Sequence, residues 1–226
     1  MKRRQFLIKS AQTSAAISLV SPINLLPFIQ DKPLFFKISL AQWSLHNALF
    51  DKKMDNLDFA TKSRQLGCEG LEYVNAFFKD KAKDKSYLAE MNNRAQAEGQ
   101  KNVLIMIDGE GNLADADTSR RLAGIENHHK WVDAAHYLGC HAIRVNLGGG
   151  VDKEEAVKAS VDSLTKLSDY AKGSNINILV ENHGGFSSDG SWMTKVFSQI
   201  ENKNCGTLPD FGNFCINRGP DGCAEE

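Results

Sequence analysis

The chain has 226 residues, 42% hydrophobic and 24% charged, with no apolar run of the roughly 18 residues that a bilayer span needs. Its 27 basic and 28 acidic residues nearly cancel, but residues 1–30 hold four of the basic ones and no acidic one, so the remainder carries 23 against 28, a net of −5. A net-acidic body lacks the Lys/Arg excess on which sequence-independent nucleic-acid binding rests, and small-molecule chemistry suits it better.

In chain order, the first element is not part of the fold. Lys2-Arg3-Arg4-Gln5-Phe6-Leu7-Ile8-Lys9 resembles a twin-arginine export signal, and the small and apolar stretch Ala11 to Leu26 follows as its apolar region. The resemblance implies a signal segment over residues 1–30, a periplasmic destination, no stable membrane span beyond that segment, and export of an already folded, cofactor-loaded domain over residues 31–226. The alternative is an amphipathic helix with a basic cluster.

Strand-like apolar runs then begin near Phe35, Leu71, Val103, Ala142, Ile176 and Cys205, at a mean spacing of 34 residues. Helical periodicity fills the intervals: Leu88, Met91 and Ala95; Trp131 or Val132 with Ala135 and Leu138; Val157, Val161, Leu164, Leu167 and Ala171. Gly67, Gly99, Gly139 and Gly173 stand where helices should stop in a left-handed residue. The five cysteines (68, 140, 205, 215 and 223) are an odd set without CxxC spacing and read as buried thiols.

Strand and helix alternating without hairpin signals means parallel strands joined by right-handed crossovers. No Gly-x-Gly-x-x-Gly follows the first strand, as an open nucleotide-binding sheet would show. Polar residues gather instead after every strand: Trp43 and His46, Glu72 and Asn75, Asp108 and Glu110, Asn146, Glu181 and His183, Asp210 and Asn213. A site fed by all strand ends is that of the eight-stranded (β/α)8 TIM barrel, whereas an open sheet uses only its switch point. Eight units of this spacing need about 270 residues, so the expectation is an incomplete barrel of about six βα units. A self-sufficient six-stranded sheet is the alternative.

Two of these positions stand out. Ile176 to Val180 is an apolar run closed by Glu181-Asn182-His183-Gly184-Gly185, and the short run from Cys205 closes on Pro209-Asp210. A carboxylate ending a buried strand is costly unless something pairs with it. Two of them at the same end of successive parallel strands converge, as they do in a divalent-metal site. The competing roles are a helix cap or a pair with Arg144 for Glu181, and an Asx turn for Asp210.

Gln42-Trp43-Ser44-Leu45-His46, Gly70-Leu71-Glu72-Tyr73-Val74, Ala142-Ile143-Arg144-Val145-Asn146, Val180-Glu181-Asn182-His183 and Pro209-Asp210-Phe211-Gly212-Asn213 together resemble the sugar phosphate isomerase/epimerase group of the xylose-isomerase-like barrels, with endonuclease IV a distant relative. The resemblance implies a divalent ion (Mn2+, Mg2+ or Co2+) held by Glu, Asp, His and Glu from strands five to eight. Glu181 and Asp210 match the first two, and the His and last Glu belong to strands seven and eight, which an incomplete barrel lacks, so the 226-residue fragment alone is expected to be inactive. It further implies proton transfer beside a carbonyl through an enediolate, with Glu181 both metal ligand and general acid/base. His183, His46, Trp43, Glu72, Asn146 and Asn213 are the candidate substrate-binding residues, the Gly148-Gly149-Gly150 loop after Asn146 having room for ligand. His128 and His129 fall on a helix outside the site.

Two departures separate the chain from the ketose 3-epimerases of this group: Asn213 stands where those tend to carry His, and Ser187 where they tend to carry Glu. A lyase or hydratase on 3-keto-sugars is therefore an alternative for the same site. An endonuclease IV-like phosphodiesterase, which needs three metals and a basic groove, and a non-catalytic sugar-binding barrel are the readings from other classes. A small-molecule sugar is the expected partner, without nucleic acid, and self-association as a homo-oligomer is left open.

Overall fold

The computed structural model describes residues 35–148, 150 and 152–213. The twin-arginine segment, Cys215, Cys223 and Gly149 lie outside the described residues.

Six strands form one sheet: β1 (Ser39–Ala41), β2 (Gly70–Val74), β3 (Lys101–Met106), β4 (Ala142–Asn146), β5 (Asn177–Glu181) and β6 (Cys205–Leu208). They are paired in sequence order, each parallel to the next. The intervening α-helices are α1 (His46–Phe50), α2 (Phe59–Gln65), α3 (Lys85–Ala97), α4 (Thr118–Leu138), α5 (Lys153–Lys172) and α6 (Gly190–Phe197). Strictly sequential order decides between the two architectures. An open doubly wound sheet reverses direction at a switch point, whereas right-handed crossovers that never reverse put every helix on one face and leave the other as a barrel interior.

Side-chain alternation along the strands follows from that geometry. Leu71, Tyr73, Ile105, Ile107, Ile143, Val145, Ile178 and Val180 face outward and are buried against helix residues such as Trp131, Ala135, Leu164, Leu167 and Trp192. Residues of the opposite parity, Val74, Leu104, Met106 and Ala142, pack with Leu179 and Leu208 on the inner side. The same parity carries Glu72, Arg144, Asn146 and Glu181 inward.

Each longer helix starts on an aspartate whose carboxylate accepts first-turn N–H groups: Asp84 for α3, Asp117 for α4, Asp152 for α5 and Asp189 for α6. Three of the expected glycine stops are left-handed, Gly67, Gly99 and Gly139 at φ 80°, 65° and 74°. Gly173 is not. It stays right-handed at φ −64°, and the left-handed residue two positions on is Asn175, at φ 54°. Asn is the non-glycine residue that tolerates this conformation best. Cys68 and Cys140 are buried as expected, and burial pushes the Cys140 thiol up to about 12, in the unreactive range. Cys205 is only half-buried.

Candidate active site

At the carboxyl ends of the strands lies an open cleft of about 1080 Å3. It brings together Trp43 after β1, Glu72 on β2, Asp108 after β3, Arg144 on β4, Glu181 and His183 at the end of β5, and Asp210 and Asn213 after β6. Six of the eight predicted site residues thus share one cavity.

His46 stands behind it. Its ring stacks on Trp43 at 4.8 Å between centroids, and its Nδ1–H donates to the Trp43 carbonyl at 2.7 Å, so it shapes the aromatic wall that Trp43 and Phe50 present to the cleft. Asn146 is also one step removed: its amide donates to Asp108 Oδ1 at 2.8 Å. Glu72 accepts the Ser39 hydroxyl across the β1–β2 pair.

Glu181 is the most constrained carboxylate. Only 8% of the residue is exposed. Its Oε2 lies 2.8 Å from Arg144 Nε, a close ionic contact off the N–H axis, and its Oε1 accepts the Asn213 amide at 3.2 Å. Burial pushes its pKa above the usual carboxylate value. Asp210 and Asp108 add to that rise, while Arg144 and His183 oppose it. The pairing with Arg144 weighed from the sequence is therefore present, and it coexists with a place in the cleft. Arg144 also donates through Nη1 to Asp108 Oδ1 at 2.8 Å, so one buried guanidinium bridges two cleft carboxylates.

Asp210 makes the Asx turn. Its Oδ1 accepts the N–H groups of Gly212 and Asn213 at 2.7 and 3.1 Å. Among the described residues, no three His, Cys, Asp or Glu side chains group closely enough to hold a metal ion. Glu181 and Asp210 are hard oxygen donors of the kind that suit a divalent ion.

Other strand-end residues do not join the cleft. Glu110, expected beside Asp108, is turned outward. Gly109 at φ 72° bends the chain between them, and Glu110 accepts Trp131 Nε1 at 2.8 Å and pairs with Lys130 at 2.9 Å. Burial would raise its pKa, but these two partners outweigh that and hold it below the usual value. Gly148 is needed for packing rather than for ligand access: a Cβ there would meet Asn112 Oδ1 at 2.4 Å. His128 is buried in α4 against the Gly124 carbonyl, and His129 stacks on Tyr170, both away from the cleft. Asp108 and Arg144 are the charged cleft residues that were absent from the predicted set. Arg144 was named from the sequence only as a partner competing for Glu181.

A sequence profile described as xylose isomerase-like TIM barrel matches residues 60–225. The chain belongs to that family. A search of curated proteins by sequence finds no match. Among solved structures, this xylose isomerase-like barrel is similar to the D-psicose 3-epimerase of Clostridium cellulolyticum H10 (16% identity, TM-score 0.66, 81% of this chain and 66% of that one). It is also similar to 3-keto-D-glucoside 4-epimerase of E. coli (15%, 0.62, 75% and 69%) and to the IolI protein with a bound zinc atom (17%, 0.68, 84% and 68%). Such identities establish the fold alone, and the aligned part of the chain spans about two thirds of each of these proteins. Placement of the cleft at the carboxyl ends of the strands is where such barrels build their sites.

Proposed function

We propose that this barrel is a divalent-metal-dependent sugar isomerase or epimerase, moving a proton at a carbon beside a carbonyl. The observation that carries the reading is the placement of Glu181 and Asp210: they close adjacent parallel strands, both line one cleft, and Glu181 is buried there. A divalent ion held by Glu181, Asp210 and further ligands from outside the described residues would polarise the substrate carbonyl and so acidify the neighbouring C–H.

The chain's own groups do the rest. Glu181 takes the proton, with its basicity in the loaded site set by the charge of the ion beside it. Arg144 and Asn213 hold its two oxygens in a fixed orientation. Glu72, Asp108 and His183 are placed to bond sugar hydroxyls, while the Trp43–Phe50 wall takes the apolar C–H face of the ring.

One further observation bears on the substrate. Ser187, at the position where ketose 3-epimerases tend to carry Glu, is fully buried and donates to the Gly184 carbonyl at 2.8 Å, so it reaches no substrate. That favours a second reading, elimination or hydration of a 3-keto-sugar at the same site. The phosphodiesterase alternative fits poorly, because the charged cleft-lining residues are Glu72, Asp108, Glu181 and Asp210 against one Arg144 already paired to two of them. Export through the Arg3-Arg4 segment is part of the proposal. Among the described residues no helix is long and apolar enough to cross a membrane.

The test is incubation of a full-length version, with strands seven and eight, with Mn2+ in heavy water and a panel of free ketoses and 3-keto-glucosides, read by NMR. Deuterium entering a carbon next to the carbonyl of one panel member supports the proposal. Catalysed phosphodiester cleavage, with no exchange into any sugar, contradicts it.

A further inference from the structure

We infer that Asn75 and Asn182 are positioning residues of the cleft, each using its side-chain amide to hold the backbone of the aspartate at the end of the next strand. Asn75 Oδ1 accepts the Asp108 N–H at 3.0 Å while its Nδ2 donates to the Asp108 carbonyl at 2.9 Å. Asn182 does the same to Asp210, at 2.7 and 2.8 Å. The two asparagines are 1% and 2% exposed, so their bonds are sheltered from water.

The two clamps occupy the same register. The β2–β3 ladder ends on the pair Val74 and Met106, and the β5–β6 ladder on Glu181 and Leu208. In each case the asparagine is the first residue after one member of the last pair, and the aspartate is the second after the other. A side-chain amide carries the donor and acceptor of a peptide group, so it adds one rung to a parallel ladder after the backbones have diverged. The β1–β2 pair shows the half-made version. Gln42 follows the last pair, Ala41 and Glu72, and accepts the Val74 N–H at 2.9 Å, but its donor goes to Asn56 at 2.6 Å. The residue held there, Val74, carries no charge. Both complete clamps hold a cleft carboxylate.

Both also lead to Glu181. Asn182 fixes Asp210, whose Oδ1 orders the Asn213 backbone, and the Asn213 side chain meets Glu181 Oε1. Asn75 fixes Asp108, which holds Arg144, and Arg144 meets Glu181 Oε2. Each oxygen of Glu181 is thus tied, through one intermediate side chain, to a clamped aspartate. Displacements of about 1 Å at a reacting group cost orders of magnitude in rate, which gives such support its value.

The clamp itself is read from backbone geometry, while its consequence for metal rests on the proposed role of Asp210. Native-state amide exchange on the full chain tests the first. In the parent the Asp108 and Asp210 amides are protected. Asn182→Leu, close in size but without the amide, speeds exchange at Asp210 about tenfold and leaves Asp108 alone, and Asn75→Leu does the reverse. Unprotected amides in the parent overturn the clamp even if neither variant folds, as does unchanged exchange in folded variants. Mn2+ titration followed by electron paramagnetic resonance tests the second: Asn182→Leu weakens Mn2+ binding by about 10- to 100-fold, as loss of a ligand's support does elsewhere. Unchanged Mn2+ affinity beside a deprotected Asp210 amide reduces Asn182 to a structural role. A parent that binds no Mn2+ contradicts the metal reading and leaves the exchange result to decide the clamp.

Discussion

Replacing Arg144 by methionine keeps most of the side-chain volume and removes the cation shared by two cleft carboxylates. Arg144 is 5% exposed in its side chain, Glu181 11% and Asp108 37%. Asp108 can therefore recover solvation from the cleft, and the cost falls on Glu181, left buried with only the Asn213 amide. Removing one partner of a buried pair costs about 3–5 kcal/mol. That is a large part of the roughly 5–15 kcal/mol that folded domains have in all. With a urea m-value of about 3 kcal/mol/M, the midpoint falls by about 1 M or more.

The pH dependence has a definite sign. Burial already raises the Glu181 pKa, and losing Arg144 raises it further. An acid whose folded pKa lies above its unfolded one favours the folded state below the unfolded pKa and loses that contribution as pH rises through the folded pKa. The variant should therefore sit closest to the parent near about pH 5 and furthest from it near about pH 8. Equilibrium urea unfolding of parent, Arg144→Met, Glu181→Gln and the double variant measures this. The double variant should regain much of the loss, because removing both partners leaves no buried charge. A pH-independent loss under about 1 kcal/mol, or a double variant no more stable than Arg144→Met, refutes the reasoning.

Asp210→Asn keeps the Asx turn but removes the charge, so Mn2+ binding should weaken while the melting temperature holds; calorimetric titration and a thermal scan read the two. Gly139→Ala should cost about 1–2 kcal/mol because its φ is positive, whereas Gly173→Ala, right-handed with open space for a Cβ, should be neutral or stabilising by about 0.5–1 kcal/mol. Denaturant midpoints separate them. Replacing Arg3-Arg4 with two lysines should leave the protein in the cytoplasmic fraction on immunoblotting, and unchanged periplasmic recovery contradicts the twin-arginine reading.

The strands were legible because strands covered on one side by helices and facing a barrel interior on the other keep short apolar runs ending on polar residues. The first was placed early: the run from Phe35 gives only Ser39–Ala41 as strand. Glu181 and Asp210 stood out as carboxylates closing such runs. Glu110 misled because it lies two residues from Asp108, the spacing that shares a face in a strand, and the left-handed Gly109 breaks that parity. Arg144 was quoted as a partner for Glu181, but its second bond, to Asp108, depends on three adjacent strands being in register. The asparagine clamps were out of reach for the same reason. Asn75 and Asp108 are 33 residues apart and Asn182 and Asp210 are 28, and nothing local marks either pair.

The most direct measurement compares a full-length parent, with strands seven and eight, and its Glu181→Gln variant for deuterium uptake from heavy water into a sugar that the parent accepts, with Mn2+ present and both proteins shown to be folded. Glu181 as the base predicts exchange in the parent and none above background in the variant. Equal exchange rates contradict it, and equal Mn2+ affinity alongside them removes Glu181 from the site altogether.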